Sequence, residues 1–460
     1  MRRRIADLHG RVNGNLKVEF TEEGLTSHAG MELLIRYVRW IGMNERIRYH
    51  LGSNLPGGDF GTVALCRTLL GLLIVGGRHL RHIGFLKGDP VFERFCGLKV
   101  LPTDRTLSNW LKDFRAKSVD ALSRLNADLI AGFLSTYLTA KTLTFDIDGS
   151  VLPTGLKVGW AFRGYNPHHR KVPSYYPISA CLAESGHVFR MKNRPGNVND
   201  GKASLAFLRE LFRQIKQTFD TGYELRFRMD GAYFKREVLQ LVESRKARYA
   251  LKVPFWRCLD LQGQIRGRKR WKRVQDDVAG FFTTVSVNSW GRKVRVCIFR
   301  KRVHHPTRKN YQLDLFDPDD GTWEYSAVAT NLSLRARALW RFMCGRGAHE
   351  KAIGELKSGL ALDSIPTDQY GANSAWQQLV VLAHNLLVNF QIETGAVQKP
   401  QTQKRTTLWV IERVRTLRFK IFNRAGRLVR PYGVTILRMS KNQQAKKTFL
   451  RIAENLAKAA

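Results

Sequence analysis

Thr142-Leu143-Thr144-Phe145-Asp146-Ile147-Asp148-Gly149 is the stretch that decides how this chain folds. Its residues alternate between the two faces of an extended segment, and Gly149 bounds it, which is the pattern of a strand. Upstream the period is helical. Apolar residues recur at helical spacing through Met31-Glu32-Leu33-Leu34-Ile35-Arg36-Tyr37-Val38 and again over 63–75. Downstream, strand patterns occupy 177–183, 188–192, 224–229 and 248–253, with helical patterns between them at 203–219 and 235–245. Strands in a run, then strands alternating with helices, predict a mixed α/β layer fold.

Further out the character changes again. Phe281-Phe282-Thr283-Thr284-Val285-Ser286-Val287 and Lys293-Val294-Arg295-Val296-Cys297-Ile298-Phe299 are strand runs split by Asn288-Ser289-Trp290-Gly291-Arg292, so a hairpin is expected. The region from about 254 to 324 reads as a β-rich insertion, and it carries the basic run Arg266-Gly267-Arg268-Lys269-Arg270-Trp271-Lys272-Arg273. One more strand at 325–330 precedes helical patterns over 334–360 and 374–392. The last 60 residues hold fifteen Lys and Arg against Glu412 and Glu454, a net of +13. At that density a phosphate-contacting tail is the better reading than a merely solvated face.

The whole chain repeats that bias. Its 460 residues suggest two to four domains at roughly 100–200 residues each. A hydrophobic content of 43% supports a packed core and excludes a disordered basic arm. Seventy-seven Lys and Arg against 38 Asp and Glu leave +39, an excess that calls for a polyanionic partner. Nucleic acid is the first candidate and a membrane surface the weaker one. The apolar runs at 68–77 and 379–390 fall short of the ~20 residues a bilayer span needs. No apolar stretch follows Met1-Arg2-Arg3-Arg4, so no signal peptide is expected. The six cysteines form no C-x-x-C pair, which argues against zinc ribbons and a disulfide framework. Reduced, buried thiols in the cytoplasm are expected. In the N-terminal part, Pro102-Thr103-Asp104 starts a helix. The following Arg105-Thr106-Leu107-Ser108-Asn109-Trp110-Leu111-Lys112 is either an ordinary amphipathic helix or the exposed recognition helix of a helix-turn-helix, with Arg105 and Lys112 on DNA.

Two strand patterns end alike, in Asp148-Gly149 and in Asp230-Gly231. Parallel-like strands ending this way put two carboxylates on one sheet edge, and carboxylate oxygen is what Mg²⁺ or Mn²⁺ prefers. Asp-Gly is also common turn chemistry. The segment Met343-Cys344-Gly345-Arg346-Gly347-Ala348-His349-Glu350-Lys351-Ala352-Ile353-Gly354-Glu355-Leu356-Lys357 adds a third element. On a helix Glu350 lies about 40° round from Arg346 and Lys357 about 20° round, so the three form one stripe. Such a stripe is a salt-bridged face, or a carboxylate completing a metal site while its flanking cations meet phosphates.

Arg346-x3-Glu350-x6-Lys357 resembles the Y-x2-R-x3-E-x6-K signature of DDE transposases of bacterial insertion sequences. The chain looks like a member of insertion-sequence family 1380, within the insertion-sequence 4 superfamily. Phe145-Asp146-Ile147-Asp148-Gly149-Ser150, Gly164-Tyr165-Asn166-Pro167, Ser174-Tyr175-Tyr176-Pro177, Arg194-Pro195-Gly196-Asn197 and Met229-Asp230-Gly231-Ala232-Tyr233 follow in the family's order. They cover about 142–360. The signature's Tyr is Met343 here.

That resemblance implies an RNase H-like core in which Asp148, Asp230 and Glu350 are catalytic and hold two divalent metals, Mg²⁺ with Mn²⁺ as substitute. It implies five parts: a helical DNA-binding region at 1–135, core at 136–254, the insertion at 255–324, core with the glutamate helix at 325–395, and a basic helical tail at 396–460. Asp146 rivals Asp148, since the two share a strand face; Ser150, at the family's spacing, favours Asp148. Arg346 and Lys357 become phosphate contacts, joined by Arg268 and Arg270 of the insertion. Trp271 and Trp290 become candidates to stack on an unpaired base, against simple packing within the insertion. His349 points about 100° from Glu350 and is set aside. His168-His169 and His304-His305 lack partners at metal spacing. The implied activity is cleavage at terminal inverted repeats and strand transfer into target DNA, by a homodimer on paired ends in the bacterial cytoplasm. The rival readings are a non-catalytic DNA-binding repressor and a general metal-dependent nuclease.

Overall fold

A computed structural model describes residues 19–21, 23–53, 55–138, 141–164, 171–198, 200–219, 222–303, 323–395 and 407–459. Its N-terminal part is helical: α1 (Met31–Trp40), α2 (Met43–Leu51), α3 (Thr62–Val75), α4 (Pro90–Cys96), α5 (Asp104–Lys112) and α6 (Ala116–Tyr137). The sequence of α3, TVALCRTLLGLLIV, is apolar nearly all round, and so the helix is buried in the core rather than laid on it. Gly76 ends it in the left-handed region at φ +117. Among the described residues no single helix is long and apolar enough to cross a membrane.

The alternating stretch that ends in Asp148-Gly149 forms strand β1 (Thr142–Gly149). It is followed by β2 (Ile178–Leu182), β3 (Val188–Lys192), helix α7 (Asp200–Thr218), β4 (Glu224–Met229), helix α8 (Arg236–Ser244) and β5 (Arg248–Lys252). Then come β6 (Lys272–Gln275), β7 (Val278–Val287), β8 (Arg292–Arg302) and β9 (Trp323–Thr330). Among the described residues these nine strands form one sheet in the order β3-β2-β1-β4-β5-β9-β8-β7-β6. β1, β4 and β5 run parallel, while β2 and β3 turn back antiparallel. The β7–β8 hairpin forms where its sequence places it, closed at Val287↔Arg292 with Gly291 at φ +61. It does not fold apart from the core. β9 pairs with both β8 and β5, so the residues read as an insertion extend the central sheet.

Three helices complete the layer: α9 (Ala336–Cys344), α10 (Gly347–Leu360) and α11 (Tyr370–Glu393). α11 is buried on every side although it carries Asn, Gln and His. Those polar groups cover the outer edge of β3. The Asn385 amide accepts from Val188 N (2.9 Å) and donates to Val188 O (2.9 Å), and Gln378 donates to Met191 O (2.8 Å). An edge strand that would otherwise present unpaired backbone is thereby satisfied.

The C-terminal residues expected as a helical tail are built into the fold. Leu417, Ile421 and Phe422 are buried against the helical core, followed by the hairpin Gly426–Val429 with Ile436–Met439 and a last helix, α12 (Gln443–Ala459). All six cysteines are free; Cys66, Cys96, Cys181 and Cys297 are buried, whereas Cys258 and Cys344 are exposed.

Candidate active site

Strand register brings two of the expected carboxylates together. β1 and β4 pair in parallel as far as Asp146 opposite Arg228; Asp148 lies two residues further along β1, and Asp230 two residues beyond Arg228, just past the end of β4. Both project to the face of the sheet that carries Asp146 and Arg228. Asp230 Oδ1 accepts the Ala232 N–H (2.9 Å) and caps a short 3₁₀ turn. Asp148 Oδ1 accepts the Gly149 N–H (3.0 Å), which leaves Oδ2 to an ion pair.

That partner is Arg346, whose Nη2 lies 2.6 Å from Asp148 Oδ2. Arg346 precedes the first turn of α10. His349, three residues on, turns inward and shares a 3.0 Å hydrogen bond between Nε2 and Ser179 Oγ on β2, the residue directly opposite Asp148. Burial, then Arg346 and Arg228, push the His349 imidazole down to about 3, so it is neutral. Glu350 is the next residue and exposed, on the same helix stripe as Arg346. Arg346 and His349 therefore dock the helix that carries Glu350 over the edge that carries Asp148. Among the described residues no three His, Cys, Asp or Glu side chains are gathered closely enough to hold a metal.

Beneath this edge sits a second ion pair. Arg228 grips Asp146 through Nε–Oδ1 (2.5 Å) and Nη2–Oδ2 (2.7 Å), with both side chains at most 1% exposed. Arg228 Nη1 also donates to Phe342 O (2.7 Å), at the end of α9. A Cβ on Gly345 would stand 2.2 Å from that same Nη1, so the break between α9 and α10 is a glycine because the arginine fills the space. Burial raises the Asp146 carboxyl above its ordinary value, and Arg228 offsets only part of that rise. Asp146, the rival for the catalytic role, is thus occupied. Its pairing was invisible in the sequence; the signal available was a charged Arg228 inside a strand, alternating with Asp230 so that both share a face.

The remaining expected contacts fall in several places. Lys357 Nζ donates to Val151 O (2.9 Å), tying α10 to the segment that leaves β1, and burial lowers its ammonium. Arg105 is exposed at the start of α5, and Lys112 pairs with Asp368 (3.2 Å). Arg268 lies 4.5 Å over the Phe281 ring, donates to Arg270 O (2.8 Å), and borders a cleft of about 920 Å³ with Lys272, Arg292, Lys293, Arg295 and Arg335. Arg270 is exposed. This basic cleft opens beside Tyr249 and Asn331 at the amino end of β5, whereas Asp230 follows the carboxyl end of its parallel neighbour.

Trp271 packs edge-on against Phe281 (4.8 Å) with Arg300 over its ring (4.6 Å), and Trp290 packs on Phe234 (4.7 Å). The exposed tryptophans are Trp160 and Trp256, at 65% and 47%. Trp256 contacts Phe234 (5.8 Å), four residues beyond Asp230. Met343 packs beside Trp340 and Phe342 in the apolar cluster under β8 and β9. Tyr165, Asn166, Pro167, His168, His169, His304 and His305 lie outside the described residues.

The site is a pair of acidic strand ends under a basic helix turn, in a chain of strong positive charge. Residues 9–460 match the family model described as transposase DDE domain group 1, and the chain belongs to that family. No curated protein matches it. Among solved structures it is similar to "Cryo-EM structure of piggyBac transposase synaptic complex with hairpin DNA", at 10% identity and a TM-score of 0.43, over 86% of this chain and 76% of that one. A likeness that distant carries no residue correspondence.

Proposed function

We propose that this transposase cleaves DNA at the terminal inverted repeats of its insertion sequence and joins the freed ends to target DNA, as a homodimer on paired ends in the bacterial cytoplasm. The observation that supports the reading is the parallel pairing of β1 with β4, after which Asp148 and Asp230 follow at matching positions, with Arg346 on Asp148. The strand order β3-β2-β1-β4-β5, with β1, β4 and β5 parallel, supports an RNase H-like core, and the Arg346–Glu350–Lys357 spacing supports assignment to insertion-sequence family 1380.

The residues fit a divalent cation. Their donors are carboxylate oxygens, and Asp148 already takes a positive group, the Arg346 guanidinium, on Oδ2. Asp148 and Asp230, with Glu350 as third ligand, would hold Mg²⁺ or Mn²⁺. When bound, such ions activate the attacking oxygen and stabilise the leaving one in displacement at phosphorus. The chain's own residues position the rest. Arg346 meets a phosphate once it leaves Asp148, and Lys357 fixes the segment after β1. His349 and Ser179 set the angle of α10. In the first displacement a water oxygen bonds phosphorus and a 3′-hydroxyl is released. In the second that 3′-hydroxyl oxygen bonds a target phosphorus and the broken strand's own 3′-oxygen leaves.

The test is a supercoiled plasmid carrying the DNA that flanks the element, incubated with Mg²⁺ or Mn²⁺ and wild type, Asp148→Asn or Glu350→Gln. Breaks confined to the element's ends and absent with both variants are expected. Scattered breaks would replace the reading with a plain nuclease, and tight end binding without cleavage would replace it with a repressor.

A further inference from the structure

The hairpin formed by Gly426–Val429 and Ile436–Met439 has an outer face that its own protein does not explain. In its register Arg427 stands directly opposite Arg438, and Val429 opposite Ile436. These four share one side and Leu428 and Leu437 the other, where Leu437 packs against the helical core. Like charges directly opposite each other destabilise a strand pair. Arg427 is relieved by Glu23 (2.6 Å), but Arg438 is exposed and has no side-chain partner among the described residues. Beyond the strands the tip is bare: Tyr432 is fully exposed in the left-handed region at φ +50, Val434 is 62% exposed, and Arg430 Nε donates to Gly433 O (3.1 Å). A bulky residue held at positive φ is strained, and such strain gathers where a side chain is being presented. Between Glu412 and Glu454 the chain has twelve Lys or Arg and no acidic residue.

The hairpin is also firmly mounted. Arg418, just before it, donates to Ile74 O, Leu73 O and Gly359 O, each at 2.6 Å. This joins the end of α3 to the end of α10, the helix that begins at the candidate active site. Glu355 Oε2 adds a bond from Val414 N (3.0 Å). From Glu350 to Gly359 is about 14 Å along the helix axis, at roughly 1.5 Å per residue. At its base the hairpin is three-stranded, because Leu25–Thr26 pairs with Gly426 and Arg427; the part beyond, from Val429 and Ile436 to the turn, is a two-stranded ribbon of a size that fits the major groove, about 12 Å wide.

We propose that this ribbon enters the major groove of duplex DNA within one helical turn of the cut, with Arg430 and Arg438 on phosphates and Tyr432 at the base edges. The proposal rests on the transposase reading for the identity of the DNA, and charge selects the partner. An exposed Arg438 without a counter-charge and a stretch of twelve cations suit a polyanion and oppose a second copy of the same ribbon.

The test compares wild type, Arg430→Ala/Arg438→Ala and Tyr432→Phe and →Ala on a labelled terminal duplex and a scrambled one. Anisotropy is read from 50 to 300 mM salt, with thermal melting as the folding control. At about 0.9 per phosphate contact, the double variant should lower the log–log salt slope by about 2 while melting as wild type does. Wild type should protect guanine N7 from dimethyl sulfate within about ten base pairs of the end, and Tyr432→Ala should lose that protection. An unchanged slope with unchanged protection overturns the ribbon, whatever the end preference. Protection at adenine N3 instead overturns the major-groove assignment. Variants that alter only the oligomeric state in light scattering show that the face pairs copies of the chain, and also overturn it. Wild type that fails to prefer the terminal over the scrambled duplex counts against the transposase reading alone, because slope and protection still judge the ribbon on either duplex.

Discussion

Two arginine–aspartate pairs lie two residues apart on the same strand face, and they are built differently. The inner one, Arg228 with Asp146, is sealed from solvent, bidentate, and extended by a third bond to Phe342 O. The outer one, Arg346 with Asp148, is a contact to Oδ2 between side chains 13% and 23% exposed. The difference separates their tasks. A sealed charge cannot exchange partners without leaving the other buried and bare, so the inner pair holds β1, β4 and α9 in one arrangement. The outer pair has water beside it and can be opened by a competing cation or phosphate.

The largest effect should come from breaking the inner pair. Arg228→Ala leaves Asp146 buried without its counter-charge and should cost about 3–5 kcal/mol in urea unfolding. Replacing both, as Asp146→Leu/Arg228→Met, should recover most of that loss. A single variant costing under about 1 kcal/mol would show the two pairs to be energetically alike. Next is Gly345→Ala, whose methyl meets Arg228 Nη1 at 2.2 Å; overpacking there should cost about 1–3 kcal/mol by the same measurement.

The contrast also explains what could be read beforehand. Alternation along 142–149 places Asp146 and Asp148 on one face, but no sequence pattern says which of them a partner 82 residues away will consume. The strand, the Asp-Gly ends and the helix with Glu350 were legible because each is a local period or turn. Arg228 on Asp146, and His349 on Ser179, were not, because both arise from pairing between distant strands and helices. The insertion shows the same limit. Its hairpin was visible as two alternating runs, yet only β9, by pairing with β5, makes it part of the central sheet. Trp271 and Trp290 were attractive for the cations around them, and the aromatic rings that cover them lie elsewhere in the sequence. The C-terminal charge was obvious; that Arg427 and Arg438 share one ribbon face depends on their register.

Acid should weaken the fold through His349. His349 falls from an ordinary 6.5 to about 3 in the fold, so between those values the unfolded chain takes up a proton that the native state refuses. Its contribution is complete above pH 6.5 and declines as pH falls toward 3, by up to about 1.4 kcal/mol per pH unit. At pH 5 the wild type should therefore have lost about 2 kcal/mol on this account, and His349→Gln, which cannot titrate, should show a flatter profile. Buried His187, also held near 3, contributes a parallel slope, so the readout is the difference between the two profiles rather than the wild-type curve.

The smallest stability effect belongs to the outer pair. Removing Arg346 takes away a partly exposed, solvent-screened contact, so Arg346→Ala should lower stability by no more than about 1 kcal/mol. Its consequence should appear in Mn²⁺ binding instead. The guanidinium holds Asp148 Oδ2, and a cation arriving there must displace it, so its loss should tighten binding of Mn²⁺ to DNA-free protein in a calorimetric titration. Arg346→Lys, which keeps the charge on a shorter reach, should fall between. If Arg346→Ala binds Mn²⁺ more weakly than wild type, the arginine is not a competitor. Its contact with Asp148 would then orient the carboxylate, as the inner pair orients the strands.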